Sequence, residues 1–470
     1  MNIVTHILNF AIMIYSLSIC LYYVFLGVVS AFHLIAYKKA NSFVDHNLLL
    51  SSPLAPGISI IAPAYNESKT IVDNINALLS LHYGIFEVIV VNDGSKDDSL
   101  EKVIKEYELE KVDFAVNYQL NTKEIRSIYR STNKAYRFLT VIDKENGGKA
   151  DSLNAGLNIS QYDYFVAIDV DSVIEPDALL KMIKPFLEST DKKVIATGGA
   201  IYIANSCRIE NGQIIDIEVP RNMLARFQVL EYTRAFLMGR IAWSRLNGLL
   251  LVSGALGLFD KNVAIKCGGY YSQTVGEDME LVVRMRRYMY DRKEKHSVRY
   301  IPDPLCWTEV PTTLQMLGRQ RNRWTRGCMD TLWIHRKLFF NPKYGRLGMV
   351  GYPFWLFFEW LAPLIEFSGF CYMIVLIILG SINGYFFLFL FAFAYLFSVA
   401  FSFYSILYEE FTYHKYRRVE QIYRLFFTSL IEPISYHFLN VWWALTGNIS
   451  FLKGEKTWGA MDRKGFNAKE

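Results

Sequence analysis

Three short runs carry the side chains with which this sequence could do chemistry. Gly276-Glu277-Asp278 sets two adjacent carboxylates behind a turn glycine, where one can take a proton from an attacking hydroxyl. Asp169-Val170-Asp171 alternates two carboxylates along an extended segment and sends both to one side, a pattern that suits a hard divalent cation sharing its sphere with substrate phosphates. Gln320-Arg321-Asn322-Arg323-Trp324, just ahead of a long apolar tract, supplies two guanidinium groups and an indole. Cations stabilise a departing diphosphate, and an aromatic face stacks on a sugar ring. Each acidic run also has a plainer reading: Glu277 and Asp278 as favourable charges at a helix N-terminus, and the alternating pair as a solvated strand end.

Two further turns belong with them. In Asn92-Asp93-Gly94-Ser95-Lys96-Asp97 the glycine allows a tight turn, and Asp93 either accepts hydrogen bonds from a nucleoside or caps the next helix. Glu145-Asn146-Gly147-Gly148-Lys149-Ala150-Asp151 opens a helix, so Lys149 sits beside backbone amides that favour anions. It lacks the GxxxxGK[ST] spacing of a P-loop, and an ordinary helix start is the competing reading.

The elements that must position these groups read as α/β. Short β-branched runs at 58–62, 86–91, 138–142, 164–168 and 194–203 predict strands, and 68–80, 97–108, 149–158 and 176–187 predict helices between them. In a mostly parallel sheet, ligands sit at the carboxyl ends of strands, which is where Asp93, Asp169 and Asp171 fall. The polar, basic stretch 113–137 has no assignment in this scheme.

With 470 residues and 52% hydrophobic content, the chain has room for one full-sized domain and several membrane crossings. A net charge of +5 without a concentrated basic stripe argues against nucleic acid as a partner. Six scattered cysteines without a CxxC pair read as reduced thiols. Residues 7–37 predict a membrane anchor followed by Lys38 and Lys39, which places the next domain in the cytoplasm by the positive-inside bias. Further on, 347–360 reads as interfacial, 361–380 and 385–407 as crossings, and 425–445 as a last apolar candidate interrupted by Glu432 and Pro433. One more crossing there would leave the basic tail with Lys453 and Lys456 outside, against that same bias. A non-crossing hairpin at 425–445, a double crossing within 347–382 and an exceptional tail are the alternatives.

The ordered set Asp93, Asp169-Val170-Asp171, Glu277-Asp278 and Gln320-Arg321-Asn322-Arg323-Trp324, flanked by apolar segments, resembles the inverting, membrane-integrated family 2 glycosyltransferases, including poly-N-acetylglucosamine, chitin-oligosaccharide, hyaluronan and cellulose synthases. The QxxRW element is its most specific part. The wording of 143–151 and of Trp307-Thr308-Glu309-Val310-Pro311 is most similar to poly-N-acetylglucosamine synthases. The resemblance implies a GT-A type α/β domain at 41–310, after an anchor at 1–40 and before interfacial helices at 311–360, a membrane region at 361–450 and a polar tail at 451–470.

It further implies that Asp93 and Lys149 contact the uridine of a UDP-sugar donor, that Asp171 and Asp169 hold Mg or Mn on the diphosphate, and that Asp278, beside Glu277, is the general base. Arg321 and Arg323 would neutralise the departing diphosphate. Gln320 and Trp324, with Ser253 and Gly254 of a glycine-bearing loop, would hold a glycan acceptor at the lipid bilayer. Gln228, Glu231 and Tyr232 are weaker candidates. The expected setting is a bacterial plasma membrane, with accessory export subunits as further partners. Gly276 stands where many of these synthases carry Thr. The chain leaves no room after its last apolar segment for the cyclic-dinucleotide-binding domain of cellulose synthases, an expectation against cellulose. Competing readings are transfer of one sugar to a lipid carrier, and a non-catalytic export component.

Overall fold

A computed structural model describes residues 3–41, 50, 52–169, 172–210 and 212–455. Among these the chain divides into two compact units, one built from residues 38–218 and 249–310, the other from residues up to 37, 219–248 and from 311 onward.

The first unit holds twelve strands: β1 Ile58–Ala64, β2 Phe86–Asn92, β3 Leu109–Lys111, β4 Ile125–Ser131, β5 Leu139–Lys144, β6 Tyr164–Ile168, β7 Val173–Ile174, β8 Lys193–Ile203, β9 Arg208–Glu210, β10 Gln213–Asp216, β11 Leu256–Asp260 and β12 His296–Thr308. Ten of them form one sheet in the order β3-β4-β5-β2-β1-β6-β11-β8-β12-β7, and β9 and β10 make a separate hairpin. β5, β2, β1 and β6 run parallel to their neighbours in this set, as do β8 and β12. β11 enters antiparallel between β6 and β8. The parallel strands are buried on both faces, which is why they read as continuous apolar runs such as Phe-Glu-Val-Ile-Val-Val.

The five expected strands are all present, with ends displaced by two residues or fewer. The unassigned stretch 113–137 contains β4, which pairs antiparallel with β5 and carries the sheet to its edge at β3. β12 escapes sequence reading because Pro302 and Pro304 lie inside it; the register shifts between Ile301 and Cys306 accommodate them. The helices Ile71–Leu79, Ser99–Glu106, Lys149–Ile159 and Ala178–Glu188 correspond to the four expected ones.

The second unit is helical. Ile3–Asn41, Leu347–Ile378 and Gly384–Thr412 are each long and apolar enough to cross a membrane. The last apolar candidate is broken into Val419–Ile431 and Tyr436–Leu452 by a turn at Glu432–Ile434 that includes Pro433. Glu432 is not left to lipid. Arg234 Nη1 donates to its Oε2 at 2.8 Å and to Ser402 Oγ at 2.6 Å, so the carboxylate is paired inside the unit. All six cysteines are free thiols.

Candidate active site

The first unit gathers its chemistry at the carboxyl ends of β2, β5 and β6. Asp93, directly after β2, is buried, and its Oδ1 accepts from Lys144 Nζ at 2.7 Å and from the Gly147 amide at 2.9 Å, while Oδ2 accepts from the Gly148 amide at 2.8 Å. Its carboxylate is therefore engaged by the chain's own donors and fixes the turn that opens the helix Lys149–Ile159. Lys144 at the end of β5 is fully buried and reaches a second carboxylate, Asp151 Oδ1, at 2.7 Å. The turn needs its glycines: Gly148 has φ 87°, and a Cβ on Gly147 would lie 2.6 Å from Asp151 Cγ. Sequence reasoning passed over Lys144, although a lysine closing a buried apolar strand was a signal that a carboxylate waits for it.

This turn delivers Lys149 to the acids. Its ammonium forms an ion pair with Asp169, stands 3.9 Å from Glu277 Oε1 and donates to the Gly254 carbonyl at 3.1 Å. Burial pushes the Lys149 pKa down, but the Asp169 and Glu277 carboxylates outweigh it and hold the group above its ordinary value. Asp278 belongs to the same cluster, because a Cβ on Gly254 would lie 2.8 Å from Asp278 Oδ2 and 3.5 Å from Lys149 Nζ. The Met279 amide donates to Asp278 Oδ1 at 2.8 Å and orients the carboxylate at the start of the helix Glu277–Asp291. Glu277 is buried and Asp278 is half-buried. Ser253 lies on the same loop as Gly254, its Oγ accepting from the Ala255 amide at 3.3 Å.

Tyr270 was not anticipated. Its phenol is held well above its ordinary pKa by burial and by the charges of Asp278, Glu277 and Asp169, so it stays a neutral hydroxyl. Asn154 fixes its peptide by a reciprocal pair, accepting from Tyr270 N at 2.7 Å and donating to Tyr270 O at 2.9 Å. The preceding Gly268 and Gly269, with φ of 97° and 67°, were the available sign of a backbone bent for a purpose. Asp171 lies outside the described residues. Among the described residues no group of three or more His, Cys, Asp or Glu side chains is arranged to hold a metal ion. Asp169 nonetheless offers the hard oxygen donor that such an ion needs.

The QxxRW run lies in the second unit, on the helix Leu314–Ile334. Gln320, Arg323 and Trp324 share a face by their i, i+3, i+4 spacing. The Gln320 side-chain oxygen is buried without a hydrogen-bond partner. Arg321 is almost fully buried: its Nη2 donates to Glu231 Oε2 at 2.8 Å and to Tyr436 Oη at 3.0 Å, and its guanidinium carbon stands 4.2 Å from the centroid of the Trp324 ring. Burial opposes the Arg321 charge, and Glu231 together with the Tyr436 and Tyr232 phenols more than restores it. Trp324 keeps 40% of its surface exposed. Of the weaker candidates, Gln228 donates to the Pro311 carbonyl at 2.8 Å, Glu231 pairs with Arg321, and burial raises the Tyr232 phenol to about 12.

Known proteins share both sequence and fold with this chain. A family model described as "Glycosyl transferase family 2" matches residues 59–245, and one described as "Glycosyl transferase family group 2" matches residues 164–403. The poly-beta-1,6-N-acetyl-D-glucosamine synthase of Staphylococcus epidermidis is 28% identical over 384 residues, 81% of this chain and 78% of its own length. That of Staphylococcus aureus is 31% identical over 278 residues, 59% of this chain and 55% of its own. A mannosyltransferase from Pyrobaculum calidifontis, solved with GDP-Man and Mn2+, aligns over 89% of this chain and 99% of its own at 16% identity and a TM-score of 0.50, which establishes a common GT-A fold. Since the second family model covers more than half of the 470 residues, the chain belongs to glycosyl transferase family group 2 and is a glycosyltransferase.

Proposed function

We propose that the enzyme moves a hexose or N-acetylhexosamine from a UDP-sugar to a growing β-linked glycan, inverting the anomeric carbon, at the cytoplasmic face of a bacterial plasma membrane. The observation that carries this reading is the cluster of Asp169, Glu277 and Asp278 about the ammonium of Lys149. Its carboxylate oxygens suit a donor that arrives with a cation on its diphosphate. The names of the staphylococcal synthases, which share most of this chain, support the β-linked N-acetylglucosamine product.

In the reaction, Asp278 Oδ2 takes the proton of the acceptor hydroxyl while that oxygen bonds to the anomeric carbon from the face opposite UDP. The bond from that carbon to the diphosphate oxygen breaks, and its electron pair leaves on UDP. Arg323 neutralises the leaving charge. Asp93 holds the nucleotide-side turn, and Lys149 carries its charge to the donor. Gln320 and Trp324 hold the acceptor sugar, with Ser253 and Gly254 at its loop. Bound Mg or Mn would lie on Asp169 and Asp171 and supply Lewis-acid charge on the diphosphate.

Membrane placement follows from the same reading. Three crossings, by the helices Ile3–Asn41, Leu347–Ile378 and Gly384–Thr412, put Lys38, Lys39 and Lys453 on one side, as the positive-inside bias requires. The broken segment 419–452 then does not cross. The sequence domains from anchor to tail belong to this proposal, as do accessory export subunits.

Membranes carrying the enzyme, supplied with labelled UDP-sugars with chelator and then with Mg or Mn, test it. Long, cation-dependent product from UDP-N-acetylglucosamine is expected. A single sugar on a lipid would move the assignment to a carrier transferase, and no transfer from any donor would overturn it.

A further inference from the structure

Arg321 sits within the QxxRW run, yet its charge turns inward. Nη2 meets Glu231 Oε2 at 2.8 Å and Tyr436 Oη at 3.0 Å, and Tyr436 Oη itself donates to the same Glu231 oxygen at 2.9 Å. The guanidinium Nε has no hydrogen-bond partner, and the guanidinium plane covers the Trp324 ring at 4.2 Å. The opposite side of the network is packed against a buried cluster. The Tyr436 ring is 1% exposed and stacks on Phe227 at 5.0 Å between centroids, in a buried cluster with Leu317 and Trp443. The helices Leu314–Ile334 and Tyr436–Leu452 approach closely at glycines: a Cβ on Gly318 would meet Trp443 Nε1 at 2.6 Å, and one on Gly447 would meet Thr325 Cβ at 2.8 Å.

We infer that Glu231 and Tyr436 are positioning residues for the acceptor: they clamp Arg321 behind the Trp324 indole and so hold its exposed face as a fixed platform for a sugar ring. A guanidinium against one face withdraws conformational freedom from the indole and leaves the other face for stacking. The inference rests on the proposed role of Trp324 in acceptor binding.

The test uses the full-length protein in lipid nanodiscs, titrated separately with a labelled β-1,6-linked N-acetylglucosamine oligomer and with UDP. Trp324→Ala is expected to abolish most oligomer binding. Tyr436→Phe, which deletes only the hydroxyl, and Glu231→Gln, which deletes only the charge, should each weaken it roughly three- to tenfold and leave UDP binding unchanged. Neither change should add to the loss already caused by Trp324→Ala. If Tyr436→Phe and Glu231→Gln still weaken binding in the Trp324→Ala background, or weaken UDP binding equally, the clamp is wrong while the acceptor role of Trp324 stands. If Trp324→Ala binds the oligomer like the parent, the acceptor role itself fails and takes the clamp with it.

Discussion

Lys149 and Glu277 face each other across 3.9 Å, with Asp169 on the same ammonium, so this lysine serves two carboxylates of the acidic cluster. If Asp169 holds the proposed cation, that ion competes with the lysine for the same carboxylate. Lys149→Met should therefore bind Mn2+ more tightly than the parent when no nucleotide is present, on the order of tenfold, while its turnover falls on the order of 10²-fold. Electron paramagnetic resonance of free Mn2+ gives the first number and product formation the second; unchanged Mn2+ affinity would break the link.

Asp278→Asn keeps the shape of the side chain and its contact with the Met279 amide but removes the proposed base. Turnover should drop by about 10² to 10⁴ with UDP affinity unaltered. Calorimetric titration of UDP beside a rate measurement separates the two, and a variant turning over at the parental rate excludes Asp278 as base.

Removing Lys144 strands Asp93 and Asp151, both of which rely on its buried ammonium. Lys144→Met should cost about 3 to 5 kcal/mol of stability. Adding Asp151→Asn should recover part of it. Thermal unfolding in detergent reads both changes; a Lys144→Met protein as stable as the parent shows that the buried triad is dispensable.

His296 supplies a pH signature. Burial, followed by the charge of Arg286, lowers its pKa from 6.5 to about 4, so the folded unit holds it neutral. The unfolded chain takes up a proton first as pH falls, so the stability owed to this group is complete above about 6.5 and is lost as pH falls from there through about 4. The full effect is on the order of 3 kcal/mol. His296→Phe should flatten the decline in unfolding temperature over that window, and an identical profile in the variant would rule the histidine out.

What could be read from residue order follows burial. β1, β2 and β6 were legible because strands covered on both faces become apolar throughout, and the acids after them were legible as residue types. The contacts of Lys149 were not, because the one with Gly254 joins positions 105 residues apart. The resemblance implies a diphosphate role for Arg321, and residue order does not show its partners Glu231 and Tyr436, which stand 90 and 115 residues away. β12 was hidden by its prolines, and β4 by the polar side chains an edge-region strand can carry.

Position 254 turns geometry into a handle. Since a methyl group there would press on the Asp278 oxygen at 2.8 Å, one added carbon would displace the proposed base without altering any charge in the cluster. Gly254→Ala is thus a way to arrest the enzyme with its electrostatics whole, a form in which donor and glycan can be captured together before the bond between them is made.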